Sequence, residues 1–160
     1  MIKGINRTSV FISLTLLLLL LSCNSNVVYT RSQRMPQEIW PLMDIASFKV
    51  PITDTLNSNN VFFTIRNGSS YPFRNLYLFV TTFSPDGKQI TDTLQYDITD
   101  EKGKWNGKGF GDVHELKVPY KTNVFFPIKG IYEFRIQHGM RVKDLKGVYD
   151  IGLRIEKYKK

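Results

Sequence analysis

The sequence predicts an all-β fold, a single antiparallel β-sandwich of about seven or eight strands behind a signal peptide. Three observations point there. Beyond residue 39, apolar and aromatic residues recur at every second position in stretch after stretch. Turn-forming pairs such as Asn67-Gly68 and Lys146-Gly147 separate the stretches. No segment after the leader carries the 3.6-residue apolar period of a helix that buries one face.

The chain opens with the three zones of a secretory signal. Lys3 and Arg7 form a positive n-region without an acidic residue, and Val10 to Leu21 form an apolar h-region ending in six consecutive leucines. As a helix this h-region would span about 18 Å, short of the roughly 30 Å of a bilayer core. Residues 1–22 therefore read as a cleaved leader. Its end, Leu20-Leu21-Ser22-Cys23, is similar to a lipobox: leucine at −3, a small residue at −1, and a cysteine whose thiol is the nucleophile for diacylglyceryl transfer. Cys23 is the one cysteine of the chain. No internal disulfide can form, and acylation removes a thiol that would be a liability in an oxidising compartment. Two or three acyl chains hold a protein at a membrane where a single chain binds only marginally. Cys23 is the expected lipidation site, and a membrane is the first expected partner.

Residues 24–38 are rich in Asn, Ser, Thr, Gln and Arg without a period. With Cys23 they read as a flexible tether, which leaves residues 39–160 for the sandwich. A tether of that length would hold the domain on the order of 20 Å from the lipid. Removing the leader leaves 138 of 160 residues, enough for one domain with a full core. It also removes two of the 22 Lys+Arg and none of the 14 Asp+Glu, for a formal charge of +6. Export excludes nucleic acid as the partner of that charge. Anionic headgroups, envelope glycans or acidic protein faces remain, beside a basic surface that is simply solvated.

The strands follow in order. Phe48, Val50 and Ile52 alternate with Ser47, Lys49 and Pro51. Val61, Phe63 and Ile65 form the next set. Leu76 to Phe83 is apolar or aromatic on both parities, the pattern of a strand covered on two sides. Ile90, Leu94, Tyr96 and Ile98 share a face that Asp92 interrupts. His114, Leu116, Val118 and Tyr120 share another, and Tyr132, Phe134 and Ile136 line a strand backed by Glu133, Arg135 and Gln137. Tyr149, Ile151, Leu153 and Ile155 close the series.

Catalytic signatures are missing from this sequence. It holds no His-Glu-x-x-His, no Cys-x-x-Cys, no Gly-x-Ser-x-Gly and no phosphate-binding glycine loop. Its two histidines, His114 and His138, fall on the apolar parity of their strands and read as core residues. Jointly they would still lack the third ligand a zinc site needs. Asp97, Asp100 and Glu101 precede a turn in which Lys102 and Lys104 stand where a calcium loop needs oxygen ligands. Asp112 and Glu115 point to opposite faces of a regular strand, so they do not form a carboxylate pair. The expectation is a protein without enzyme activity, metal or cofactor.

Several segments, in their order, resemble the GldH gliding-motility lipoproteins of the Bacteroidetes. They are Ile65-Arg66-Asn67, Tyr71-Pro72-Phe73 and Asn75 to Leu78, then Asp92-Thr93-Leu94 and Gly103 to Gly109. Gly130-Ile131-Tyr132-Glu133-Phe134, Gln137 to Arg141 and Gly147 to Leu153 complete the set. The resemblance covers most of the mature chain. It implies a non-enzymatic lipoprotein acting through protein contacts in the assembly or operation of the envelope machinery that moves surface adhesins. A carbohydrate-binding accessory lipoprotein is the alternative, which a row of exposed aromatics on one sheet face would favour. Surface lipoproteins of that phylum tend to carry acidic residues just after the cysteine. Asn24-Ser25-Asn26-Val27-Val28 has none, so the expected location is the inner leaflet of the outer membrane, facing the periplasm.

Two further expectations concern sites. Residues 103–111 place Trp105 and Phe110 among four glycines, with Lys104 and Lys108 interleaved. A tryptophan there either pins the loop to the core or waits for a partner, where it is a favoured contact. Lys104, Trp105, Lys108 and Phe110 are the candidate interaction loop. Asp54-Thr55-Leu56 and Asp92-Thr93-Leu94 resemble the short O-glycosylation sequon of the same phylum, so Thr55 and Thr93 are candidate modification sites. Arg141 is expected to pair with a carboxylate at a strand end.

Overall fold

The computed structural model describes residues 26–159. The expected signal peptide and Cys23 lie outside them. The described residues form two packed antiparallel sheets and a small ribbon, with one 3-10 turn (Pro36–Glu38) and no α-helix among them. Sheet one has the order β1 (Val27–Arg34), β11 (Val148–Lys157), β4 (Asn59–Asn67), β8 (Val113–Val124), β7 (Lys108–Phe110). Sheet two has the order β3 (Ala46–Ile52), β9 (Gly130–His138), β5 (Asn75–Phe83), β6 (Gln89–Asp97). A two-stranded ribbon pairs β2 (Ile39–Pro41) with β10 (Asp144–Lys146). This is the expected β-sandwich.

The alternating residues fill the space between the sheets. Phe48 and Val50 of β3, Phe63 and Ile65 of β4, and Tyr132, Phe134 and Ile136 of β9 are all buried. Ile151, Leu153 and Ile155 of β11 meet them from the other sheet. Burying side chains of this size contributes about 1.5–3 kcal/mol each. The seven stretches read from periodicity correspond to β3, β4, β5, β6, β8, β9 and β11. The four additional strands are β1, β2, β7 and β10, three of which are only three residues long. Three residues are too few to display a period.

The expected tether is largely a strand. Residues 27–34 form β1, which pairs with β11 from Val27↔Glu156 to Arg34↔Asp150. Met35 follows, buried, and its N–H donates to the Tyr149 carbonyl at 2.8 Å. β1 is an edge strand. It completes the hydrogen bonding of β11 with its backbone and buries little side chain, so its polar residues gave no apolar alternation. Residues 27–34 are therefore part of the folded domain.

β5 also departs from expectation. Leu76, Leu78 and Val80 are buried, but Tyr77 and Phe79 on the opposite parity face solvent. β5 is interior to its sheet, yet among the described residues no further layer covers its outer face. Apolar residues on both parities indicated two covered faces where one exists.

Asp92, the interruption on β6, is a bridge between the sheets. The Tyr120 hydroxyl donates to it at 2.7 Å and Lys121 approaches at 3.0 Å. The Tyr120 hydrogen bond is the main reason its carboxyl stays below the usual range. Nearby, the Tyr96 hydroxyl donates to the Pro119 carbonyl at 2.9 Å, and burial pushes that phenol up to about 12. These contacts close the open side of the sandwich between edge strand β6 and the part of β8 beyond β7.

Candidate functional site

The strand directions give the sandwich two distinct ends. The far end gathers residues 34–46, 67–75, 97–114 and 138–148. The near end gathers residue 26, the loops at 53–58, 84–88 and 125–129, and the C-terminal part of β11.

The expected interaction loop sits at the far end. Asp100 Oδ1 accepts from the Lys102 and Lys104 N–H groups at 2.8 and 2.9 Å, which makes a tight turn rather than a cation loop. Asn106 returns to donate to the Ile98 carbonyl at 3.0 Å. Trp105 is half-buried and stacks on His114, with centroids 5.1 Å apart and planes at 17°. β7 then pairs with β8, and here the glycines have a fixed purpose. A Cβ on Gly107 would lie 2.5 Å from the Glu115 carbonyl oxygen, and one on Gly109 would lie 2.2 Å from that of Val113. They allow close backbone approach instead of supplying a permissive loop. Lys104 and Lys108 are exposed and in no ion pair among the described residues, and Phe110 is 97% exposed. The structure thus separates the four residues into one anchored indole and three free side chains.

The other chemistry-bearing residues are placed singly. His138 is fully buried edge-on to Trp40, with centroids 5.4 Å apart, and neither ring nitrogen reaches a hydrogen-bond partner. Burial lowers its pKa, and the Trp40 backbone and the Asp144 charge oppose this only in part. His114 stacks beneath Trp105, in a different cluster. No three His, Cys, Asp or Glu side chains gather as metal ligands among the described residues. Asp112 accepts from the Ser69 N–H at 3.0 Å and the Tyr149 hydroxyl at 3.2 Å, and has no partnership with Glu115. Thr93 is exposed on the outer face of β6, and Thr55 is half-buried in the bend at 53–58. Arg141, expected in a local pair, is exposed and makes no ion pair among the described residues. It follows Met140, whose sulfur accepts the Tyr77 N–H at 3.4 Å. Arg141 itself is exposed, so the guanidinium has solvent instead of a carboxylate.

Periodicity missed two surfaces. On the outer face of sheet two, Tyr77 and Phe79 form an aromatic strip, flanked across the register by Gln95 and Thr93 on β6 and Gln137 on β9. Gly139 lets the Phe79 ring lie against it, since a Cβ there would sit 3.0 Å from the ring edge. Beside the strip, Phe73, Met140, Arg141 and Val142 line a shallow cavity of about 450 Å³. At the near end, a mainly apolar cleft of about 530 Å³ opens between the sheets, walled by Val61, Tyr120, Phe126, Tyr132 and Phe134. Ile90, Phe125 and Ile128 stand exposed at its mouth. The run Phe125-Phe126-Pro127-Ile128 was the available signal: apolar, yet broken by a proline that prevents a regular strand.

Comparison with known proteins gives one consistent answer. The family model described as GldH lipoprotein matches residues 27–155. The chain is 38% identical over 156 residues to a gliding motility lipoprotein GldH homolog of Christiangramia forsetii, covering 93% of this chain and 95% of that protein. It is 34% identical over 146 residues to gliding motility lipoprotein GldH of Flavobacterium johnsoniae, covering 87% and 90%. Among solved structures, dimeric latent PorU from Porphyromonas gingivalis is similar at a TM-score of 0.39 and 11% identity, covering 82% of this chain and 13% of PorU. At that score the likeness says nothing about function.

Proposed function

The chain belongs to the GldH lipoprotein family, and from that premise we propose that it is a membrane-anchored, non-enzymatic part of the gliding-motility envelope machinery. It acts in assembly or operation of that machinery through protein contacts. The observation that supports this most is the match across almost the whole folded domain, residues 27–155. The anchor is the acylated Cys23. The domain faces the periplasm from the inner leaflet of the outer membrane, a reading supported by the uncharged Asn24 to Val28 segment. The partner-facing surface is the far-end edge at Lys104, Lys108 and Phe110, held in place by the stacked Trp105. An almost fully exposed phenylalanine on the same edge as free lysines is a surface that gains by being covered.

In-cell crosslinking of a tagged copy, with the Cys23→Ala chain as control, tests this reading. The intact chain takes up a clickable fatty acid and crosslinks to envelope proteins. Equal fatty-acid labelling of both chains would overturn the anchor.

A second reading is favoured by the Tyr77–Phe79 strip. Exposed rings flanked by amide and hydroxyl groups suit a glycan, whose sugar face packs on the rings while its hydroxyls bond the flanking polar groups. Binding of envelope polysaccharide that Tyr77→Ala and Phe79→Ala abolish would favour it over the protein-contact reading.

A further inference from the structure

Lipoproteins on a long tether have no preferred orientation, but this tether is short. β1 begins at Val27, and the Asn26 carbonyl already accepts the Lys157 N–H at 2.8 Å. Three peptide steps separate Cys23 from Asn26, and fully extended they reach about 11 Å. An acylated Cys23 therefore keeps the near end of the sandwich at the bilayer surface.

That end has the chemistry of an interface. It exposes Leu56 at 85%, Ile90 at 65% and Phe125 at 57%, with Ile128 beside the cleft. Lys88 and Lys121 line the same cleft, Lys129 follows Ile128 in the 125–129 loop, and Lys157 and Lys159 lie at and just beyond the end of β11. Lys129, Lys157 and Lys159 have no ion-pair partner among the described residues. The acids present are engaged by local partners. Asp54 accepts from the Leu56 and Asn57 N–H groups, Asp86 is held by Ser84 and Lys88, and Glu156 by Lys117 and Arg154. Apolar tips at the same end as three unpaired lysines match a surface of acyl chains beneath anionic phosphates.

We propose that the near end is a membrane-contacting face, in which Leu56, Phe125 and Ile128 enter the boundary between headgroups and acyl chains while Lys129, Lys157 and Lys159 bind the phosphates of anionic phospholipids. This rests on acylation of Cys23. Its consequence is an upright domain. A nine-residue strand is about 30 Å long, so the far-end loop with Phe110 is presented about that far from the bilayer.

The test uses the full lipoprotein reconstituted in vesicles of phosphatidylcholine with phosphatidylglycerol. Acylation blocks the chain's one thiol, so Leu56→Cys, Phe125→Cys and Phe110→Cys each take a single nitroxide label. The expected result is protection from a water-soluble nickel relaxant and exposure to dissolved oxygen at 56 and 125, with the reverse at 110. Labels at 56 and 125 in water, on protein whose intact mass includes the acyl chains, would overturn the membrane face and leave the anchor standing. A mass without acyl chains would instead remove the anchor. The Cys23→Ser chain labelled at 125 then decides the face alone: protection on the same vesicles keeps it, and full exposure removes it. Replacing Lys129, Lys157 and Lys159 by Glu should weaken flotation of that unacylated chain with phosphatidylglycerol vesicles by about fivefold or more per residue. An unchanged affinity contradicts the proposed headgroup contacts. A sugar found on Thr55 would also contradict the face, because the glycan would occupy the place of the bilayer.

Discussion

At the far end of the sandwich, the β2–β10 ribbon lays Trp40 and Leu145 over the core, and both are fully buried. The Trp40 indole donates to the Asp44 carbonyl at 2.7 Å, which fixes the plug. At the near end no such ribbon exists among the described residues, and the space between the sheets opens as an apolar cleft of about 530 Å³. The two ends also differ in charge. The far-end segments mix acids such as Glu38, Asp44, Asp100 and Asp144 with bases in near balance, whereas the near end is lysine-rich and its few acids are internally held. A core plugged at one end and open at the other teaches that the two ends differ in how the core is sealed, since both also expose single apolar residues, Met43 and Phe110 at the far end and Leu56 and Phe125 at the near end. Trp40 and Leu145 seal the far end of the core, while Ile90, Phe125 and Ile128 stand exposed at the mouth of the near-end cleft.

Substitutions at the two ends should therefore divide into stability effects and binding effects. The largest expected change is from Trp40→Ala, which empties the far-end plug and should destabilise the domain by about 4 kcal/mol in urea unfolding. A loss below about 1 kcal/mol would mean that the ribbon does not seal the core. Trp105→Ala removes a half-buried indole stacked on His114, and a loss of about 2 kcal/mol is expected, less than for full burial. An unchanged midpoint with lost crosslinking would make Trp105 itself the contact and move the recognition surface from Phe110 to the indole.

The far end should also be the acid-sensitive one. His138 is buried neutral with its pKa lowered. Above the ordinary histidine pKa of about 6.5 both folded and unfolded forms are neutral, and no penalty arises. As pH falls below that value the unfolded chain takes up a proton that the folded chain resists, so stability falls until the folded pKa is passed. His138→Phe should flatten the stability curve in this window even if it shifts the whole curve. An unaltered slope would assign the acid response elsewhere. The smallest expected effect is from Phe125→Ser at the near end, which should change stability by less than about 0.5 kcal/mol because the ring has no core to leave.

How much of this was legible in the sequence depends on what each residue does. Strands that bury one face carry their evidence in alternation, so β3, β4, β8, β9 and β11 could be read directly. β1 could not, because an edge strand contributes backbone hydrogen bonds, and Val27 to Arg34 is mostly polar. Tyr77 and Phe79 looked like core because nothing in one strand's pattern tells whether a second layer lies on it. In the candidate loop the residues were legible and their division was not. Trp105 finds its partner, His114, from across the loop, a contact that depends on the β7–β8 register. The near-end face was illegible for a similar reason. Leu56 and Phe125 come from two separate loops and Ile90 from the start of β6, and only the sheet topology brings them to one end.

The central claim is that the near end meets lipid while the far end meets protein. A photo-crosslinking amino acid placed at residue 125 in one strain and at residue 110 in another tests it in the native host. The expected result is a lipid adduct from position 125 and an envelope-protein adduct from position 110. A protein adduct from 125 together with none from 110 would contradict the claim.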